Sequence, residues 1–251
     1  MKKVKVLLVG ESWTTINKHY KGFDHFTAAT FGTGHSFLKE ALESSGKIEV
    51  THMEGHYVQS SFPYTIEELN KWDVVIISDV GANSFLLSDR VFLEGQREVN
   101  RLFLLKEWVA QGGSLAMCGG YMSFSGFQGA AKYYRSPIEP LLPVDIFPFD
   151  DRVETPEGTS PEVLLPDHPI LEGISPEWPY LLGYQEVTLK SQATLLVKSQ
   201  YDHPLLAVME WEAGRTLAWM SDIGPHWCPQ EFIRWDGYNK LWQNAINWLA
   251  V

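Results

Sequence analysis

Cysteine is scarce in this chain. Only Cys118 and Cys228 occur among 251 residues, too few for the disulfide framework of a small secreted domain. Two free thiols suit a reducing compartment. Long apolar runs are missing as well. The opening MKKVKVLLVG holds only VLLVG before Glu11, short for a signal-peptide core, and no apolar run approaches the length that spans a bilayer. Basic charge is outweighed: 20 Lys and Arg face 31 Asp and Glu, a net charge of −11. A surface of that sign repels phosphate backbones and anionic lipid, which argues against nucleic acid and membranes as partners. Internal repeats and low-complexity tracts are absent too. Together these absences predict a cytoplasmic chain that acts on a small-molecule ligand.

What is present is a globular composition. Hydrophobic residues make up 45%, with ten Trp and thirteen Phe, enough to build a large core without staples. The length fits one domain over residues 1–251. Val4 to Gly10 reads as a buried strand, and a long loop is expected from Glu11 to Gly34. His35 to Ser45 carries a helical apolar face, and Ile48 to Met53 reads as a second strand. Asp73 to Asp79, DVVIISD, is the clearest buried strand. Val99 to Ala110 reads as a helix and Ser114 to Cys118 as the next strand. Strands alternating with helices predict right-handed crossovers and a parallel sheet covered on both faces. Prolines crowd the stretch from Pro137 to Pro179, an elaborated surface segment. Gln185–Leu189, Thr194–Ser199, Leu205–Trp211 and Thr216–Ser221 read as further strands, joined in part as antiparallel neighbours. A helix from Phe232 to Ala250 closes the chain.

Ligands of open parallel sheets bind beyond the carboxyl ends of the strands. Four stretches fall there: Gly10-Glu11-Ser12-Trp13, Ser78 to Asn83, Cys118-Gly119-Gly120-Tyr121, and Ser221 to His226. Cys118 before two glycines suggests a sharp strand-to-helix turn that exposes its side chain. A thiol beside a helix N-terminus has a lowered pKa; the alternative is a small buried cysteine ending a strand. His226 could serve as its base, with Asp222 or Glu231 as the group that orients the ring; equally, His226 could pack as a loop aromatic. Glu11 could approach Cys118 across neighbouring strands, or cap a loop. Two histidine groups, His52/Glu54/His56 and His19/Asp24/His25, lack a strong ligand spacing, so no metal is expected. Nothing calls for a cofactor.

The chain also resembles a known family. VGES, KGFDHFT, SDVGANSFLL, GGSLAMCGGYMSFSGFQGAAKY, DDRVETPEG, PDHPILEG, LLGYQEV, SDIGPHWCPQEF and WDGYNKLWQNAINWLA are similar to the putative glutamine amidotransferase family of the class I glutamine amidotransferase-like superfamily, which is related to the trehalose-utilisation proteins. The resemblance runs almost end to end. It implies an α/β fold, a flavodoxin-like three-layer sandwich with a mostly parallel central sheet and a C-terminal antiparallel extension. Class I amidotransferases are similar at a G-x-C-x-G-x-Q elbow and a late H-x-E. Here Cys118 sits in A-M-C-G-G-Y-M, and the first carboxylate after His226 is Glu231.

The reading that follows is thiol-dependent amide hydrolysis at Cys118 and His226, helped by Glu11 and Glu231. Backbone N–H groups near Gly119 and Gly81 would hold the oxyanion. Asn83, Gly81, Gly119, Gly120, Tyr121, Asp222 and Trp13 would contact substrate. Amidotransferase activity would draw on a separate ammonia-accepting synthase. Two alternatives stand beside it. One is a catalytically degenerate protein that binds a small metabolite such as a sugar at the same edge, stacking it on aromatic rings. The other is a protease- or deglycase-like thiol enzyme using Glu11 and Cys118. The surplus of apolar and aromatic residues also fits a homo-oligomer.

Overall fold

A computed structural model describes residues 2–251. The first strand, β1 (Val4–Gly10), leads into β2 (Ser12–Lys21) and β3 (Asp24–Thr33), then helix Ser36–Glu43 and β4 (Ile48–Met53). β5 (Val74–Ser78) and β6 (Ser114–Cys118) flank helix Arg101–Ala110. β7 (Val144–Asp145), β8 (Arg152–Thr159), β9 (Pro161–Val163), β10 (Leu181–Gln185) and β11 (Thr188–Leu189) occupy the proline-rich stretch and its sequel. β12 (Thr194–Ser199), β13 (Pro204–Trp211), β14 (Gly214–Trp219) and helix Asp236–Leu249 finish the chain.

Eight strands form the central sheet in the order β4-β1-β5-β6-β14-β13-β12-β9. The pairs from β4 through β14 are parallel; β13, β12 and β9 extend the sheet antiparallel. This is the flavodoxin-like α/β order. The chain steps from β1 outward to β4, then back across β1 to β5, so the topological switch lies between β1 and β5.

Burial explains why these segments are strands. Val6 to Val9 and Val74 to Ile77 are all fully buried, continuous apolar runs of the kind a sheet covered on both faces requires. Each such side chain contributes about 1.5–3 kcal/mol on leaving water. Helices cover the sheet. Ser36–Glu43 packs against the C-terminal helix, while Arg101–Ala110 packs against the short helices Ile66–Leu69 and Asn83–Leu86. Arg101–Ala110 starts where Asn100 accepts hydrogen bonds from the Leu102 and Phe103 amides, an N-cap that satisfies two open donors.

Three expectations need correction. The stretch from Glu11 to Gly34 is not a loop but a ten-residue-per-strand hairpin, β2–β3. Its side chains are almost all exposed, so no polar–apolar partition marked it as a strand pair. The expected strand Gln185–Leu189 is split: β10 pairs with β8 and β11 with β7, outside the central sheet. The closing helix is broken into Gln230–Ile233 and Asp236–Leu249.

Candidate active site at the β1–β5 switch

Register brings the site together. Gly10 pairs with Ser78, Ser78 with Cys118, and Cys118 with Trp219. The four central parallel strands therefore end at one level. The next residues, Glu11, Asp79, Gly119 and Met220, sit side by side beyond the sheet.

Glu11 and Asp79 carry the unusual backbone. Both adopt left-handed conformations, with φ of 49° and 46°, costly for residues with a Cβ and often retained at functional sites. The turn at Glu11 depends on Gly10. A Cβ there would lie 1.9 Å from the Ser78 carbonyl oxygen, and its φ is 106°; the Glu11 amide then donates to that same carbonyl at 3.0 Å.

The Glu11 carboxyl is buried. The Ser78 hydroxyl donates to its Oε1 at 2.5 Å, while Oε2 lies against Gly34, where the hairpin returns. Burial, then the neighbouring charge of Asp79, push its pKa up to about 8; Glu11 is thus protonated at neutral pH. Burial also raises Asp79, opposed by the Met122 amide, which donates to Oδ1 at 2.7 Å. Gly120 lies beneath. A Cβ there would be 2.9 Å from Asp79 Oδ1 and 3.0 Å from Asp222 Oδ1, so both carboxylates converge on this glycine.

Asp222 orients His226. Its Oδ2 lies 3.0 Å from Nδ1 of the ring and accepts the Trp227 amide at 3.1 Å. The bond to Asp222 raises the His226 pKa above its ordinary value. Tyr121 presents its ring edge-on to His226, with centroids 4.9 Å apart. Glu154 ties this wall together, accepting from Tyr121 Oη and from Trp227 Nε1, both at 2.9 Å. The result is a cavity of about 430 Å³ lined by Glu11, Trp13, Asp79, Tyr121, Asp222, Gly224, Pro225 and His226.

Five predicted residues thus meet in one cavity: Glu11, Trp13, Tyr121, Asp222 and His226. Others are placed differently. Cys118 is fully buried below the cavity lining, and burial pushes its thiol well above the ordinary value, opposite to the lowered pKa expected. No helix starts after it. The chain runs instead through a turn-rich loop up to the 3-10 turn Phe127–Gly129, held by Asp151, whose carboxylate accepts from the Ser125 and Gly126 amides. The expected oxyanion donor at Gly119 is spent on the carbonyls of Trp219 and Ser221, at 2.8 and 2.9 Å. Gly81 packs against Met122 and Ala131. Asn83 is exposed at the start of the helical turn Asn83–Leu86, outside the lining, and Glu231 is exposed in helix Gln230–Ile233; Asp222, not Glu231, holds His226.

Sequence reasoning missed Asp79 and Glu154. Asp79 was legible as the residue one past DVVIIS, the same offset at which Glu11 follows β1. Glu154 had no local signal. The histidine groups do not close on a metal: His52 donates from Nε2 to the Gly10 carbonyl and stacks on His35, while His19 stacks on Phe26. Among the described residues no group of three or more metal-ligating side chains converges.

Comparison with known proteins gives the context. A family model described as "Putative glutamine amidotransferase" (GATase1-like) matches residues 5–251. The cytoplasmic proteins STM3548 and STM1381 of Salmonella typhimurium have structures similar to this one, at 39% and 38% identity. Each comparison covers 98% of this chain and 99% of the other, with a TM-score of 0.93. A ThuA-like protein of Parabacteroides merdae, 14% identical over 100% of this chain and 91% of its own, shares the fold at a TM-score of 0.59. No protein of curated function matches.

Proposed function

The chain belongs to the GATase1-like family of putative glutamine amidotransferases, and on that scaffold we propose that it binds a small neutral or cationic polyhydroxylated metabolite and moves protons on it with carboxyl groups and a histidine. The observation that carries this reading is the convergence of Glu11, Asp79 and the Asp222–His226 pair on one cavity whose lining holds no Lys or Arg. Groups whose environments push their proton affinities apart are the usual arrangement of acid–base chemistry. Protonated Glu11 is the donor. His226, oriented through Nδ1 by Asp222, is the base–acid that faces the ligand, with Trp13 and Tyr121 supplying stacking surfaces for a sugar-like face.

Glutamine hydrolysis by Cys118 finds less support. Its thiol is buried and protonated, and the Gly119 N–H is already bonded. A cytoplasmic location is part of the proposal. It rests on the names of the two Salmonella proteins and on the finding that no helix among the described residues is long and apolar enough to cross a membrane.

The test is a thermal-shift panel of polyols, sugars, amines and amino acids. A ligand at about a hundred times its Kd stabilises by about 2.7 kcal/mol, so true ligands stand out. Polyols or amines should raise Tm in wild type and in Cys118→Ala alike, and not in His226→Ala. Stabilisation by glutamine alone, lost in Cys118→Ala, would sink the reading.

A further inference from the structure

The β2–β3 hairpin is a second, separate feature of the molecule. Ten residue pairs run from Ser12↔Thr33 to Lys21↔Asp24, an arm roughly 30 Å long at about 3.4 Å per residue. Its recorded ties to the rest of the chain lie at its base. Ser12 Oγ accepts the Gly55 amide at 2.7 Å, the Gly34 amide donates to the Glu11 carbonyl, and Phe31 meets His56 edge-on at 5.3 Å. A two-stranded ribbon standing alone in water is marginal at best.

Both of its faces carry large apolar side chains among polar ones. Directly paired residues share a face, so Trp13, His19 and Phe26 lie on one side and Ile16, Tyr20 and Phe31 on the other. Ile16 and Tyr20 are 70% and 71% exposed, and Phe23 at the tip is fully exposed. A cluster of exposed aromatic and aliphatic side chains on both faces of a thin ribbon marks an interaction site. The charge is also inverted relative to the rest of the molecule. The hairpin carries Lys18, Lys21, His19 and His25 against Asp24 alone, on a chain of net charge −11.

We propose that this arm docks on a second copy of the chain. The acidic remainder of a partner copy supplies the opposite charge. The arm's twenty-two residues, 12–33, match the roughly 20–30 residues per side of a standard stable interface. A seat is available on the same side of the molecule. Helix Gly55–Ser61 holds the arm's base through Ser12 and also binds Asp89 through Gln59. After Asp89 come the exposed Phe92 and Leu93, in a segment where Asp89, Glu94 and Glu98 outnumber Arg90 and Arg97. In a two-fold dimer each arm enters the other copy's seat, and the same surface serves both subunits.

Sedimentation velocity from about 1 to about 100 µM tests this, a range that brackets ordinary dimer affinities. Wild type should form a dimer. Tyr20→Asp/Phe26→Asp, which puts a charge among the apolar side chains of each face, and Lys18→Glu/Lys21→Glu, which inverts the charge, should each raise the midpoint of assembly by at least about tenfold. Their far-UV circular dichroism should stay that of the wild type, because all four side chains are solvent-exposed in the single chain. An environment-sensitive dye on Phe23→Cys should shift its emission to the blue over the same concentrations. A wild type that stays monomeric throughout, variants that dimerise with the wild-type midpoint, or a dimer that leaves the dye unmoved would each overturn the proposal.

Discussion

The carboxyl edge of the sheet has two halves of opposite character. At β1 and β5 the chain turns through left-handed Glu11 and Asp79, and both side chains face the cavity. At β6 and β14 the edge is sealed. Gly119 donates back into the sheet, and Gln185, itself bonded through its amide to the Met220 carbonyl, donates from Nε2 to the Gly120 carbonyl at 2.6 Å. Cys118 ends up below that seal. The two halves share one level and one topology, so position at a strand end does not by itself make a reactive group. What separates them is where the backbone donors go. Donors consumed by neighbouring carbonyls leave nothing to stabilise a developing charge.

The largest effect should come from the cavity lining, where the Asp222–His226 pair that follows β14 meets the open half. Asp222→Asn and His226→Ala should each cut turnover of the metabolite accepted by the pocket by about 10²–10⁴, the usual range for a positioned acid or base. Asp222→Asn should also move the pH limb assigned to His226 to lower pH, because Asp222 is what raises that group. If both variants keep full turnover, the Asp222–His226 pair is not part of the reacting group.

Next in size is a pH dependence of stability from Glu11. Its folded pKa is raised from 4.5 to about 8, so between those values the folded state holds a proton that the unfolded state has released. Stability from this group is fully present below about pH 4.5. It falls by about 1.4 kcal/mol per pH unit as pH rises towards 8, and then levels off. Glu11→Gln, which mimics the protonated form, should flatten that slope in urea titrations run across the interval. A slope unchanged in Glu11→Gln would move the burden to another group.

The sequence displayed the sheet well and the site only in part. DVVIISD and VKVLLVG are unbroken apolar runs, and burial on both faces leaves few other structures open to them. Glu11, Tyr121, Asp222 and His226 were visible because strand ends place them by topology alone. The status of Cys118 was not visible. Two glycines after a strand suit a tight exposed elbow or a packed turn equally well, and the choice here is made by Asp151, Asp79 and Gln185, distant in sequence. The hairpin escaped notice for the opposite reason. Neither of its faces is buried within the chain, so the alternation that marks half-buried strands had nothing to report, although Thr, Ile, Tyr and Phe were abundant in it.

A smaller effect is expected from packing the sealed half more tightly. A Cβ on Gly119 would come within 2.5 Å of Gln185 Oε1 and of the Met220 carbonyl, and within 2.7 Å of the Ser221 carbonyl. Two of the three are backbone atoms and cannot swing aside. Gly119→Ala should lose about 2–3 kcal/mol, the upper part of the range for overpacking. For a chain of this size that is a fall in Tm of about 5–10 °C. A variant as stable as wild type would show that the seal is looser than its hydrogen bonds imply.

The smallest effect sharpens the comparison most. Cys118→Ala removes one sulfur from a fully enclosed site and should lose about 1 kcal/mol of stability, as for other small truncations in a core. Ligand affinity should stay within about twofold of wild type, a difference of less than half a kcal/mol. Limiting iodoacetamide at neutral pH reads the same claim without a mutation. The thiolate is the nucleophile, and burial holds both Cys118 and Cys228 as thiols. Both should react only as fast as the chain opens, and together. Selective labelling of Cys118 in the folded protein would mean that the β6–β14 half opens on its own, and would return the thiol to the chemistry of this site.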